Sequence, residues 1–216
     1  MATEQHILNG YSVLDFTQYL AGPTTTRFLA EMGAEVIKIE LAPVGDYGRF
    51  IPYVHDGRSA FYVQQNRGKK SLCIDVKAPE GLALVKQLIA KVDVMVENFS
   101  PGAIGRMGLG YDIVSAINPR IVMCSLSTLG QGGPLANRPG FDMIGAAYAG
   151  VLDMLGYRDR PPIIPQMSLG DISTGAHAAA AIGFALLHRE GPAKVNTSRP
   201  RCSTAISATT IPQCSF

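Results

Sequence analysis

Strand-like and helix-like segments alternate along this chain, and that alternation restricts its fold more than any other feature. Tyr11–Phe16, Glu35–Glu40, Ser71–Val76, Asp93–Glu97 and Ile121–Ser127 are short apolar runs of strand character. Between and after them lie segments of helical period. Thr24–Met32 is closed by Gly33, a good residue for the left-handed turn beyond a helix end. Pro79 to about Val92 carries its proline at the start, where the missing N–H costs nothing. Tyr111–Asn118, Asp142–Leu155 and Ile172–Arg189 complete the set. The pattern predicts an α/β fold, a Rossmann-like parallel sheet with helices on both faces. In such folds ligands bind beyond the carboxyl ends of the strands.

Composition excludes several classes. The chain has 216 residues, 47% hydrophobic and 17% charged, enough to bury a core. A net charge of +2, with Lys and Arg scattered, gives no basis for nucleic-acid binding. No segment reaches the roughly 18 unbroken apolar residues of a membrane span. The start, Met1 to His6, lacks the basic and apolar stretches of a signal peptide. Cys73, Cys124, Cys202 and Cys214 have no metal-ligand spacing. Cys73 and Cys124 lie in apolar runs and are expected to be buried thiols, which suits a reducing, cytoplasmic setting. The four His form no metal-binding pair, and His177 and His188 read as helix-surface residues.

The loops after the strands hold the candidate chemistry. Thr17-Gln18-Tyr19-Leu20-Ala21-Gly22-Pro23 follows the first strand. It is not a GxGxxG fingerprint, which argues against a nucleotide-dependent dehydrogenase. It is either a plain turn or a helix start brought close to a ligand. Asn98-Phe99 follows the fourth strand and offers an amide beside an aromatic face, or simply an Asn turn with a core ring. Arg106 lies in a glycine-rich stretch from Gly102 to Gly110. Asp171, in Ser168-Leu169-Gly170-Asp171, stands directly ahead of the alanine-rich run Gly175–Glu190. It reads either as a helix N-cap or as a carboxylate held at a positive helix end beside a bound molecule.

Several motifs recur in order and at familiar spacing: Leu14-Asp15-Phe16-Thr17, Ala21-Gly22-Pro23, Gly33–Glu40, Asn66–Ser71, Val94–Phe99, Pro101-Gly102, Met107-Gly108 and Leu169-Gly170-Asp171. Together, from about Tyr11 to Glu190, they resemble the class III coenzyme A transferases, the group containing formyl-CoA:oxalate, carnitine and succinyl-CoA transferases. The resemblance implies that Asp171 is the nucleophile, passing CoA between an acyl-CoA thioester and a carboxylic acid through mixed anhydrides and an aspartyl-CoA thioester. It places Gln18 toward the reaction centre. It places Leu20, Ala21, Ile74, Lys77, Asn98, Phe99 and Arg106 against CoA. After Ile39-Glu40 many members carry a phosphate-binding Arg; here the residue is Leu41, and Arg138 is the candidate replacement. No metal and no tightly bound cofactor are implied, since CoA and acyl-CoA are substrates. The related racemases carry a His in the segment matching Gly140-Phe141-Asp142, where this chain has Phe141. That favours a transferase over a racemase. An inactive CoA-binding fragment is the third reading.

The resemblance divides the chain into a CoA-binding large domain over 1–190 and a tail over 191–216. Ala193–Ser198 can be back-translated so that a start one base earlier gives Gly-Gln-Gly-Gln-Tyr-Leu, a family-like stretch. The same offset over Cys202–Ser207 gives Leu-Leu-Asp-Ser-Tyr-Phe. The tail is therefore expected to be a frameshifted translation; an open frame encoding it in independent isolates would sink that idea. Family members are longer and form interlocked homodimers. The chain is accordingly expected to be truncated, to expose apolar faces of Ala178–Leu187, to be poorly soluble and to turn over little.

Overall fold

A computed structural model describes residues 6–191 and the backbone of 203–207. Most of the tail expectation, 192–202 and 208–216, lies outside the described residues. In chain order the elements are β1 (Ser12–Asp15), α1 (Ala21–Glu31), β2 (Glu35–Leu41), a short hairpin of β3 (Val54–His55) and β4 (Arg58–Ser59), α2 (Ala60–Asn66), β5 (Lys69–Ile74) and α3 (Pro79–Ile89). Then follow β6 (Val94–Glu97), α4 (Ala103–Arg106), α5 (Tyr111–Ile117), β7 (Val122–Ser127), α6 (Asp142–Tyr148), α7 (Leu169–Glu190) and β8 (Ser203–Ser207).

The main sheet runs β5-β2-β1-β6-β7-β8, every pair parallel. Counted along the chain, that is the doubly wound order 3-2-1-4-5-6, whose switch point falls between β1 and β6. The strands are short and apolar because both faces are covered. Val13, Val36, Val94, Val96, Val122 and Cys124 pack on one side with Leu29 of α1 and Ala178, Ile182, Ala185 and Leu186 of α7. The alternate residues Leu14, Ile39, Met95 and Met123 pack on the other with Val85 and Ile89 of α3 and Val114 of α5. A period of two thus serves two cores at once.

Boundaries differ from expectation in instructive places. Helix α1 begins at Ala21, three residues early, because a proline in the first turn is tolerated. Gly33 does take a left-handed turn (φ 99°) just past its end. The helix expected over Asp142–Leu155 stops at Tyr148; Gly150, left-handed, breaks it before a short 3-10 turn at Val151–Met154. The β3–β4 hairpin and α2 were not expected. Cys73, expected buried, is exposed on the edge strand β5, whereas Cys124 is fully buried in β7. Phe184 and Leu187 of α7 do point outward, each 71% exposed.

Candidate active site

The cavity sits at the switch point. It encloses about 250 Å³ and is walled by the loops leaving β1, β6 and β7 and by the head of α7. Gln18, Tyr19 and Leu20 come from the first loop and Ala21 from the head of α1, Asn98 and Phe99 from the second loop, and Arg138 and Phe141 from the segment beyond β7. Asp171 and Thr174 come from α7. Seven expected site residues, Gln18, Leu20, Ala21, Asn98, Phe99, Arg138 and Asp171, therefore meet in one place. Ile74, Lys77 and Arg106 do not line it. Ile74 and Lys77 stand at the carboxyl end of β5, two strands from β1. Exposed Arg106 ends α4, with Nη1 lying 3.0 Å from where a Cβ on Gly102 would be.

Small residues let the walls close. A Cβ on Gly22 would lie 2.3 Å from Thr17 Cβ and 3.1 Å from Asn98 Cγ, so the head of α1 reaches the cavity only without a side chain there. A Cβ on Gly175 would lie 2.7 Å from Thr24 Cβ and 2.9 Å from the Ala21 carbonyl. That glycine lets α7 cross tightly over the start of α1, which sets Asp171 beside Leu20 and Ala21. Asn98 clips the first two loops together: Oδ1 accepts the Gln18 N–H and Nδ2 donates to the Gln18 carbonyl, both at 2.7 Å. Beneath it, buried Glu97 accepts the Phe99 N–H at 2.8 Å, and burial raises its carboxyl above the ordinary range.

Asp171 is not the helix cap. Ser168 occupies that position, in a left-handed conformation (φ 46°) and without a side-chain cap bond. Asp171 is the third residue of α7, and its own N–H donates to Asp142 Oδ1 at 2.8 Å. Asp142, at the start of α6, thus serves the head of α7. Gly170 makes room for it, since a Cβ there would meet Asp142 Oδ1 at 2.8 Å. Burial, and then the negative charge of Asp142, push the Asp171 carboxyl up to about 7. A helix start lowers a carboxylate pKa, but its 0.3–1 kcal/mol is under about one unit, so burial wins. The carboxylate is basic, half-buried and free of any cap.

Sequence reasoning left out Tyr19, Thr174 and Asp142. Tyr19 is left-handed (φ 64°), packs parallel to Tyr47 at 5.8 Å and takes Phe141 edge-on at 5.7 Å, forming an aromatic rim. Tyr19 and Asp142 both lay inside segments already singled out; nothing local marked their roles. His177 and His188 are exposed on α7.

The fold and this crevice define a doubly wound α/β protein with a cavity at its strand-order reversal, the place where ligands bind in such folds. The chain belongs to CoA-transferase family III, whose model matches residues 8–205. It is 39% identical over 210 residues to a mouse succinyl-CoA:glutarate CoA-transferase, covering 93% of this chain and 48% of that protein. It is 39% identical over 184 residues to a formyl-CoA:oxalate CoA-transferase of Streptomyces avermitilis, covering 85% and 44%. A solved CAIB/BAIF family protein from Brucella suis superposes with a TM-score of 0.86 at 34% identity, over 95% of this chain and 54% of that one. The chain spans about half the length of the curated relatives it matches.

Proposed function

We propose that this chain carries the reacting site of a transferase that moves coenzyme A from an acyl-CoA thioester to a carboxylic acid, with Asp171 as nucleophile. The observation that carries the reading is one half-buried, basic carboxylate in a cavity at the switch point of a CoA-transferase fold. The Asp171 carboxylate attacks the thioester carbon, the C–S bond breaks, and CoA leaves as thiolate from a mixed anhydride. The thiolate returns to the Asp171 carbonyl, breaks the anhydride C–O bond and frees the donor acid. An acceptor carboxylate then attacks the aspartyl thioester and expels the thiolate. The thiolate finally attacks the acceptor acyl carbon and releases Asp171. Each exchange trades a carboxylate against a thiolate, so no electrons change hands and covalent catalysis divides one hard step into easier ones.

The surroundings suit that chemistry. Leu20, Phe99, Leu126, Leu129 and Phe141 give the cavity apolar walls, which limit hydrolysis of anhydride and thioester. The head of α1 offers a positive helix end beside developing oxyanions, with Gln18 next to it as a polar side chain. A cavity of about 250 Å³ takes only the reacting end of an acyl-CoA. The nucleotide end would run along the carboxyl edge of the sheet, where Ile74, Lys77, Arg106 and Arg138 can meet it, the cations pairing with phosphates. Asp171 is the one carboxylate among the lining residues, and none of them is His, which favours the nucleophile over a racemase proton shuttle. The working form is taken to be a cytoplasmic homodimer; the exposed apolar residues Met143, Ile144, Tyr148, Phe184 and Leu187 support association.

Incubation with an acyl-CoA, followed by hydroxylamine or borohydride, tests the reading. A mass change on the peptide holding Asp171, absent in Asp171→Ala, is expected. Exchange of the acyl α-proton without any label on Asp171 would replace this reading with the racemase one.

A further inference from the structure

From the Thr17 N–H to the Tyr19 N–H, the backbone of the loop leaving β1 is held by side chains. Asp15 Oδ1 accepts the Thr17 N–H at 2.8 Å, and Lys38 Nζ donates to the Thr17 carbonyl at 2.6 Å. Asn98 takes both backbone groups of Gln18, and Asp46 Oδ1 accepts the Tyr19 N–H at 3.0 Å. Buried backbone groups need partners, and these five consecutive ones find them on four side chains.

Two of those side chains form a pair that never touches the cavity. Lys38 on β2 and Asp46, ahead of the short 3-10 turn Tyr47–Phe50, stand 2.9 Å apart, each side chain 1% exposed. Asp46 Oδ2 has no aligned hydrogen bond, so its tie to Lys38 is an ion pair, while Oδ1 holds Tyr19 and also the Gly48 N–H at 2.8 Å. A buried ion pair adds little net stability over a well-packed apolar pair, so stability alone does not account for these charges. What they hold is specific. Tyr19 has a left-handed backbone, a state that persists only where its surroundings over-determine it. Lys38 fixes the carbonyl before Gln18, and Asp46 fixes the N–H after it.

We propose that Lys38 and Asp46 are positioning residues for the reaction at Asp171, locking Thr17–Tyr19 so that Gln18 and Tyr19 meet the substrate in one geometry. The proposal rests on the transferase reading above. They act through the loop and touch no substrate themselves.

Asp46→Ala removes the Tyr19 acceptor, whereas Asp46→Asn keeps an oxygen there. The double variant Lys38→Met with Asp46→Asn removes both charges together, leaves no lone buried charge, and serves if Asp46→Ala does not fold. In the 216-residue chain, amide exchange over residues 17–20 is expected to rise at least about tenfold while β6 and β7 keep their protection. Labelling of Asp171 by an acyl-CoA is expected to slow about 10- to 100-fold per folded molecule, with KM moved by less than about threefold and part of the rate restored in Asp46→Asn. Unchanged protection over 17–20 overturns the proposal, and so does a rate loss that disappears once corrected for the unfolded fraction. If wild-type protein takes no label on Asp171, the transferase reading fails separately, and the exchange comparison still decides whether the pair holds the loop.

Discussion

Asp171 carries a carboxyl raised to about 7. In the unfolded chain it would titrate near about 4. Between those values the folded protein holds a proton that the unfolded chain has lost. Stability must therefore fall as pH rises through that window, since the folded state binds more protons there. Asp171→Asn should flatten this part of a thermal-melting profile measured from pH 4 to 8. Labelling by acyl-CoA should run the other way, because the proposed nucleophile is the carboxylate form: its rate should climb with pH and level off above about 7. Asp142→Asn keeps an oxygen to accept the Asp171 N–H but drops the charge, so the rising limb should move to lower pH. A limb that stays in place would mean that burial alone sets the basicity.

At the scale of elements, two of the three glycines of α7 have opposite duties. Gly175 meets Thr24 and the Ala21 carbonyl at under 3.0 Å from an added Cβ, whereas Gly183 has nothing within 4 Å. Alanine gains about 0.5–1 kcal/mol over glycine in a helix interior. Gly183→Ala should deliver that gain as a higher Tm. Gly175→Ala should lose roughly 1–3 kcal/mol to overpacking, and should slow labelling of Asp171 by lifting α7 off α1. Much of the element pattern was readable because glycine and proline punctuate it: Gly33 and Pro79 stand where the chain turns. Ala21-Gly22-Pro23 has the composition of a turn and hides the start of α1, although a first-turn proline is compatible with helix. The helical period runs on past Tyr148 to Leu155, but Gly150 takes a left-handed turn that ends α6 before it. Lys38 could not be foreseen as buried: a lysine inside a strand normally marks the solvent side, but a central parallel strand has none.

The whole molecule is tied through a buried polar layer beneath the cavity. Burial alone would raise the Asp15 carboxyl, yet Lys69, Lys38 and the hydroxyls of Thr17 and Thr26 bring it down to about 2. Lys69, lowered by burial to about 8, still carries its proton at neutral pH, so the 3.0 Å contact is an ion pair. Glu40 is likewise held to about 2; burial opposes this, and the paired bonds from Arg49 with those from Ser71 and Tyr62 overcome it. A depressed carboxylate stabilises above its unfolded pKa and ceases to as pH falls through its folded one. Acid unfolding between about pH 4 and 2 should follow. Asp15→Asn strands the Lys69 charge and should cost roughly 3–5 kcal/mol at neutral pH, with a shallower acid limb in denaturant titrations. The site was legible where it coincides with strand ends. Gln18, Asn98 and Asp171 could be placed on loops and a helix head from sequence. That Ile74 and Lys77 lie outside the cavity depends on sheet order, which no local run of residues encodes; Arg106 follows β6, which flanks the cavity, but ends α4 beyond the lining loop.

The aromatic rim has a practical side. The sequence contains no tryptophan, so the protein is dark at the wavelengths where indole emits. Phe141 is 62% exposed and borders the cavity. Phe141→Trp would install a single indole at the mouth, against Tyr19. Its emission should shift to the blue as acyl-CoA displaces water from the ring, giving an optical titration of occupancy before any chemistry occurs. Emission that does not respond to saturating acyl-CoA would place the acyl group elsewhere on the molecule.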